Sequence, residues 1–140
     1  MNEQILDSEE LEPTHQPKIY SQGVIMGFSI FFSSFIGGIL TSMNLNAVGK
    51  RNEATYVMMG TIIYFGLTVT FLTYVESTGR FTSFLPNIIG GAILAYIVQE
   101  RYIPNHQGYP RRPWWKPLII CVILVAVFVL MAGLLPMMAE

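Results

Sequence analysis

The stretch of sequence that decides the fold spans residues 118–138 and reads LIICVILVAVFVLMAGLLPMM. It contains no charged side chain, and apolar residues occupy every face of the helix that it would form. A helix of roughly 20 residues, rising about 1.5 Å per residue, crosses the ~30 Å hydrocarbon core of a bilayer. A single charge at its centre would cost on the order of 2.5–3.5 kcal/mol on insertion scales. The stretch therefore predicts a transmembrane helix.

Three further apolar stretches without charge precede this one. The four together cover residues 23–45, 56–75, 81–99 and 117–139. Only 12% of the 140 residues are charged, about half of the share typical of a soluble protein, and they fall in the ends and connections. The pattern predicts an all-α membrane protein whose four transmembrane helices form two tandem helical hairpins, in one domain at residues 18–140.

The third stretch, 81–99, is the weakest of the four. Pro86 lies near its start, where a first helical turn tolerates proline, and Gly90-Gly91 lies at its middle. A complete span is the preferred interpretation, because the charges on either side support it. A short or re-entrant segment is the alternative.

Residues 1–17 form a different kind of segment. Five of them are acidic, and Pro13 and Pro17 interrupt the run, which predicts a flexible N-terminal tail. A secretory signal peptide begins with a basic region, so none is predicted here. Cys121 is the single cysteine; it excludes a disulfide framework and is interpreted as a packing residue.

Small residues recur at helix-contact spacing in the first and third stretches. Ser29, Ser33, Gly37 and Thr41 follow one another at intervals of four, which places them in one column of a continuous helix. Such columns let transmembrane helices approach closely. The predicted helix-packing residues are Ser29, Ser33, Gly37, Gly38, Thr41, Gly90 and Gly91. A polar lining for a pathway is the alternative interpretation of the column.

The two Gly-Gly pairs lie in similar apolar contexts. Residues 35–40 read FIGGIL and residues 88–94 read IIGGAIL. A duplicated hairpin with parallel repeats would explain this similarity, and chance is the alternative, because Gly-Gly is common in membrane helices. Asn87, just before the second pair, is the most intramembrane polar side chain after the hydroxyls of the first stretch, and it is predicted to form a hydrogen bond across a helix contact.

Basic residues are concentrated in the two connections that follow the first and third stretches. These residues are Lys50, Arg51, Arg101, Arg111, Arg112 and Lys116. Under the positive-inside rule, the pattern predicts a multi-pass protein of the bacterial inner (plasma) membrane with both termini outside the cytoplasm. An interfacial lipid anchor is predicted at Arg111, Arg112, Trp114, Trp115 and Lys116, where indoles lie at headgroup level and the cations meet anionic lipid headgroups.

No cluster of reactive residues is apparent in the sequence. His15 lies in the acidic tail and His106 in a basic connection, and neither has metal ligands at the usual spacing. There is no phosphate-binding glycine loop. The sequence therefore predicts no catalytic residues, no metal, no cofactor and no nucleic-acid partner.

Two segments resemble a group of small four-span membrane proteins from Bacteroidetes-type bacteria. The first contains Lys18-Ile19-Tyr20-Ser21, then residues 27–33, Gly37-Gly38-Ile39-Leu40, Asn44-Leu45 and Gly49-Lys50, and the second covers residues 109–120. The group is uncharacterised. The resemblance implies a four-span fold and an inner-membrane location, and it implies no activity or site residues.

The leading functional hypothesis is a small non-enzymatic membrane protein that acts through helix–helix association. Its partner is then a second copy or a larger membrane protein, besides the lipid bilayer. The alternative is a minimal oligomeric transporter or channel, which usually needs an ionisable group within the membrane. The apolar stretches contain no Asp, Glu, Lys, Arg or His.

Overall fold

The structure is a computed structural model that describes residues 16–75 and 79–138. Six α-helices follow one another within these ranges: α1 (Gln22–Phe31), α2 (Ser34–Ala47), α3 (Arg51–Tyr74), α4 (Arg80–Ala92), α5 (Gln99–Tyr102) and α6 (Trp115–Met138). A π-helical segment, Ile93–Val98, joins α4 to α5, and a 3-10 turn, His106–Gly108, lies between α5 and α6. The predicted all-helical fold is confirmed. The predicted tail, residues 1–17, lies almost wholly outside the described residues.

Among the described residues, three helical segments are long and apolar enough to cross a membrane, not four. They are Arg51–Tyr74, Phe81–Tyr102 and Trp115–Met138. The third apolar stretch is therefore long enough for a complete span, as predicted. The prediction of a first span at 23–45, and with it the arrangement of four helices as two tandem hairpins, is wrong.

The first stretch instead forms an antiparallel hairpin of two shorter helices, the α1–α2 hairpin. α1 ends where the N–H of Phe32 donates to Phe28 O at 3.0 Å, and Ser33 is fully extended, with φ 177°. The side chain of Asn44 then meets the backbone of Tyr20. The two helices hold 10 and 14 residues, or about 15 and 21 Å. Neither helix is long enough to cross a bilayer alone.

The chain enters the hairpin at the end of the bundle that carries the basic connections, called the basic end below. Ile19 N–H donates to Pro110 O at 3.1 Å, and Arg112 N–H donates to Ile19 O at 2.8 Å. A first span at 23–45 would place the residues before it, Lys18 included, at the end opposite these connections. That placement is wrong, because the α1–α2 hairpin returns the chain to the end where it began.

The core of the bundle lies around α2. α2 packs against α1, α3 and α4, and its buried side chains include Leu40, Thr41, Asn44 and Leu45. The outer helices are much less covered, and Cys121 is the one buried side chain described in α6. The hairpin is therefore the centre of the described fold: α3 and α4 pack against α2, and α6 reaches the core through Leu118 and Cys121.

The hairpin has a direct topological consequence. In a Cys121→Ser background, Lys18→Cys and Gln107→Cys are expected to react with a membrane-impermeant maleimide from the same side of sealed vesicles. Gly79→Cys should react only from the other side, because α3 runs from the basic end to the opposite end. Labelling of Lys18→Cys and Gln107→Cys from opposite sides would contradict the hairpin and restore a first span.

Candidate functional site at the tip of the hairpin

The tip of the α1–α2 hairpin is capped by a residue of another helix. α2 begins at Ser34, and Ser33 provides no side-chain cap. The N–H of Ser34 instead donates to Asn87 Oδ1 in α4, at 3.1 Å. This contact satisfies one of the N–H groups that every helix start leaves open. The predicted hydrogen bond of Asn87 across a helix contact is confirmed.

The hydroxyl of Ser34 has no such partner. The residue is 1% exposed, and its Oγ makes no hydrogen bond to any described atom. Two neighbouring hydroxyls are satisfied: Thr61 Oγ1 donates to Val57 O at 2.7 Å, and Tyr64 OH donates to Pro86 O at 2.7 Å. A buried polar group without a partner usually costs about 1–3 kcal/mol. The Ser34 hydroxyl therefore differs from those of Thr61 and Tyr64, because it is buried without a hydrogen-bond partner among the described atoms.

Ser34 lines a cavity of about 350 Å³ between α2, α3 and α4. Other residues that line it include Tyr56, Gly60, Tyr64, Gly90 and Tyr102. Aliphatic side chains such as Leu94 form the remaining walls, and none of the described lining residues is charged. The cavity extends from Tyr102, near the basic end, to the tip of the hairpin. Its volume lies at the lower end of the range for small-molecule sites, about 300–1,000 Å³.

The Gly-Gly pairs hold the helices that form this region close together. A Cβ at Gly90 would lie 2.7 Å from Ser34 Cβ and 2.8 Å from Tyr64 Cε1, and a Cβ at Gly91 would lie 2.5 Å from Ser29 Cβ. The first pair is equally crowded, with Gly37 against Ser29 and Gly38 against Thr61. The structure thus places all four glycines at contacts between helices of the same chain.

The predicted column of small residues does not exist as one face of one helix. The chain turns at Ser33, so Ser29 lies on α1 and faces Gly37 across the hairpin. Ser29 Oγ donates to Ile25 O at 2.8 Å, and Thr41 Oγ1 donates to Gly37 O at 2.9 Å. The prediction of a single column is wrong because it assumed a continuous helix.

A buried polar cluster at the basic end, here called the polar clasp, consists of Tyr20, Asn44 and Gln99. Asn44 Oδ1 accepts from Tyr20 N–H at 2.7 Å, and Asn44 Nδ2 donates to Tyr20 O at 2.9 Å. Gln99 Nε2 donates to Tyr20 O at 3.3 Å, and Gln99 Oε1 accepts from Asn44 Nδ2 at 3.3 Å. Both amide side chains are 0% exposed. The clasp joins both ends of the hairpin to α5. Sequence reasoning missed it, although an amide in an apolar stretch was the signal that identified Asn87.

The predicted lipid anchor lies next to the clasp. Arg112 has its guanidinium carbon 5.4 Å from the centre of the Tyr20 ring, within cation–π range. Trp114 and Trp115 are each about half exposed, at 54% and 52%. Arg111 and Lys116 are also exposed. The structure therefore places the five predicted residues together at the basic end.

The described residues contain no group of three or more His, Cys, Asp or Glu side chains that could hold a metal. His106 contacts the carbonyl of Ile103 at 3.2 Å through Nδ1. His15 lies outside the described residues.

A second cavity lies on the outer side of α1, beside the start of α6. It holds about 570 Å³ and is lined by residues that include Gly23, Gly27, Phe31, Trp114 and Leu118. Apart from its chain neighbours and the adjacent backbone of α1, no described atom lies within 4 Å of a Cβ built on Gly23 or Gly27. These two glycines are four residues apart and therefore share one face of α1. They are not among the predicted helix-packing residues, although their spacing is visible in the sequence.

Comparison with protein-family models, curated proteins and solved structures finds no match to this chain. The resemblance drawn from the sequence therefore stays an expectation. Function has to be argued from the site itself.

Proposed function

We propose that this chain is a small non-enzymatic integral membrane protein that acts through helix–helix association, as an accessory subunit or as a homo-oligomer. The observation that carries the proposal is the open glycine face of α1, formed by Gly23 and Gly27 beside an apolar cavity. In lipid, helices gain little from hydrophobic burial. They associate where small residues allow their backbones to approach.

Gly23 and Gly27 differ from the other glycines at helix contacts. Side chains of the same chain occupy the space beside Gly37, Gly38, Gly90 and Gly91, whereas none occupies the space beside Gly23 and Gly27. Phe31 extends the same side of α1 and is 82% exposed. A helix from a partner would fit this face without disturbing the fold of the hairpin.

The exposure of α6 supports the same proposal. Of its described side chains, only Cys121 is buried, and Leu118 packs partly against the same core cluster. The rest of this helix, residues 122–138, presents apolar side chains on all sides. Lipid can cover this surface, and so can the helices of a partner.

Gly27→Leu is expected to reduce association strongly, because it fills the face where a partner backbone would lie, while its Cβ has open space within the chain itself. Gly66→Leu is the matched control, since Gly66 is also open but lies on α3, away from this cavity. The measurement is the oligomeric state in mild detergent, together with the proteins that co-purify from native membrane. Equal association of both variants and the unchanged chain would overturn the proposal.

The proposed location is the bacterial inner membrane, with the basic end in the cytoplasm. This orientation follows from the positive-inside rule. Because Ile19 pairs beside Arg111, the first described residues then face the cytoplasm as well, and a crossing α6 ends outside. The exposed cations and indoles at this end are proposed to contact anionic lipid headgroups.

One observation favours the alternative function, a minimal oligomeric transporter. Transporters often bind their substrates at the ends of short helices within the membrane, and α1 ends and α2 begins at the tip of the hairpin. Solute flux in proteoliposomes that Ser34→Ala abolishes would favour transport. Intact association without flux would favour the subunit role.

A further inference from the structure

The cavity between α2, α3 and α4 is open to the outside of the bundle on its α3 side. Gly60 lines it and is exposed, and since glycine has no side chain, that exposed surface belongs to the backbone that faces the cavity. Tyr56 and Tyr64 line it eight positions apart on α3, which is about 12 Å along the helix. The cavity is therefore an elongated apolar groove that runs from near the basic end towards the tip of the hairpin.

The wall opposite α3 contains the π-helical segment Ile93–Val98. Three of its six residues, Ile93, Leu94 and Val98, line the cavity. π-helical turns are rare, and in known proteins they frequently occur at functional sites. The segment is an independent indication that this groove, rather than another apolar surface of the bundle, binds something.

A cation lies where the groove meets the basic end. Lys50 Nζ lies 6.0 Å from the centre of the Tyr102 ring, and Tyr102 lines the groove. Lys50 also donates a hydrogen bond to Tyr102 O. This bond uses one of the three donors of the ammonium group, and its acceptor is neutral, so it leaves the positive charge unmatched. Arg51 is exposed beside it. Glu53, in the first turn of α3, offsets one of the two charges, and the local charge stays positive.

The positive end and the apolar groove together match the two parts of an anionic phospholipid. Lys50 directly precedes the candidate span Arg51–Tyr74, so it lies at the depth of lipid headgroups, where cations attract anionic lipid. None of the described residues that line the groove is charged, which suits an acyl chain. A neutral apolar molecule would leave Lys50 without an anion, and a small soluble anion would leave the groove empty.

We propose that this groove binds one anionic phospholipid. Its phosphate contacts Lys50, and one acyl chain lies between α3 and the π-helical segment, past Gly60. This is a defined site for a single lipid, distinct from the headgroup contacts proposed above for the exposed residues beside α6. It is also independent of association through α1, because Gly60→Leu tests the groove and Gly27→Leu tests the α1 face.

The test uses the full chain in phosphatidylcholine nanodiscs that contain a small fraction of phosphatidylglycerol with a photoreactive diazirine on its acyl chain. Labelling is expected on the groove residues of α3 and of the π-helical segment, and phosphatidylcholine with the same diazirine should label them several-fold less. Lys50→Gln should lower labelling by phosphatidylglycerol about fivefold, the usual contribution of one cation near anionic lipid. Lys50→Arg should retain it, which separates the charge from a merely structural role. Gly60→Leu should abolish it, because the new side chain fills open space in the groove.

Gly66→Leu and Lys116→Gln are the matched controls and should label like the unchanged chain. Gly66 also has open space around its Cβ but lies outside the lining, and Lys116 is an exposed cation of the basic end that lies on α6. Equal labelling by the two lipids, or no loss in Lys50→Gln, would overturn the assignment to an anionic lipid. Protection of the groove in an oligomeric form would overturn the lipid site itself, because a second copy of the chain would then fill it.

Discussion

A leucine at Gly91 is expected to separate α1 from α4 and to leave little folded protein. The added Cβ alone would lie 2.5 Å from Ser29 Cβ and 3.2 Å from Met26 Sδ. Ser29 is 0% exposed, and its Cβ is fixed by the α1 backbone, so the whole helix would have to move. Added methylenes in a well-packed core cost about 1–3 kcal/mol. A side chain of four carbons against the Cβ of Ser29, which cannot move without its helix, should exceed that range.

The measurement is the free energy of unfolding in a denaturant titration, together with the yield of monodisperse protein. Gly91→Ala should be intermediate, and Gly37→Leu should be as damaging as Gly91→Leu, because its Cβ meets the same Ser29 from α2. Gly133→Leu is the matched control, since no described atom lies within 4 Å of its Cβ. Equal stability of Gly91→Leu and Gly133→Leu would show that α1 and α4 are not in contact.

The three long helices could be predicted from sequence because lipid exposure leaves a direct signal. α3 and α6 are largely uncovered by the rest of the chain, so their composition reflects the bilayer that would surround them. α6 gave the clearest signal of a membrane span, with a mean hydropathy of 3.3 over 18 residues. The span Phe81–Tyr102 was also found, although Pro86 and the Gly-Gly pair weakened its pattern.

The α1–α2 hairpin could not be predicted in this way. Hydropathy reports that a residue avoids water, and it does not report a change of chain direction. The break at Ser33 is stabilised by contacts made far away in sequence, such as Asn87 with Ser34 and Asn44 with Tyr20. The wrong placement of Lys18 followed from this one error. Every later segment kept its predicted direction relative to the basic connections.

The Gly-Gly pairs show the same limit at the level of the site. Their sequence contexts are similar, yet Gly37-Gly38 lies in α2, a helix of 14 residues, and Gly90-Gly91 lies in the long helical segment Phe81–Tyr102. Local sequence indicated that each pair makes a close contact. Which helix provides that contact depends on the fold, so the cavity between α2, α3 and α4 was not visible in the sequence.

Asn44→Leu is expected to release the hairpin from α5 at the basic end. Leucine is more apolar than asparagine, so hydropathy alone would predict a more stable membrane protein. The substitution, however, leaves Tyr20 N–H and Gln99 Oε1 without the partners they have in the polar clasp. Each buried unpaired group costs about 1–3 kcal/mol, which gives a total loss of about 2–6 kcal/mol in the free energy of unfolding.

Gln99→Leu should cost less, because Asn44 continues to bond both the N–H and the carbonyl of Tyr20. Asn46→Leu is the control, since Asn46 lies exposed on the same helix and should change stability little. Amide hydrogen exchange at Tyr20 provides the local readout, and its protection should fall in Asn44→Leu before the bundle unfolds. If Asn44→Leu matched Asn46→Leu in both measurements, the clasp would contribute nothing. The buried amide of Asn44 would then be accommodated by the fold without stabilising it.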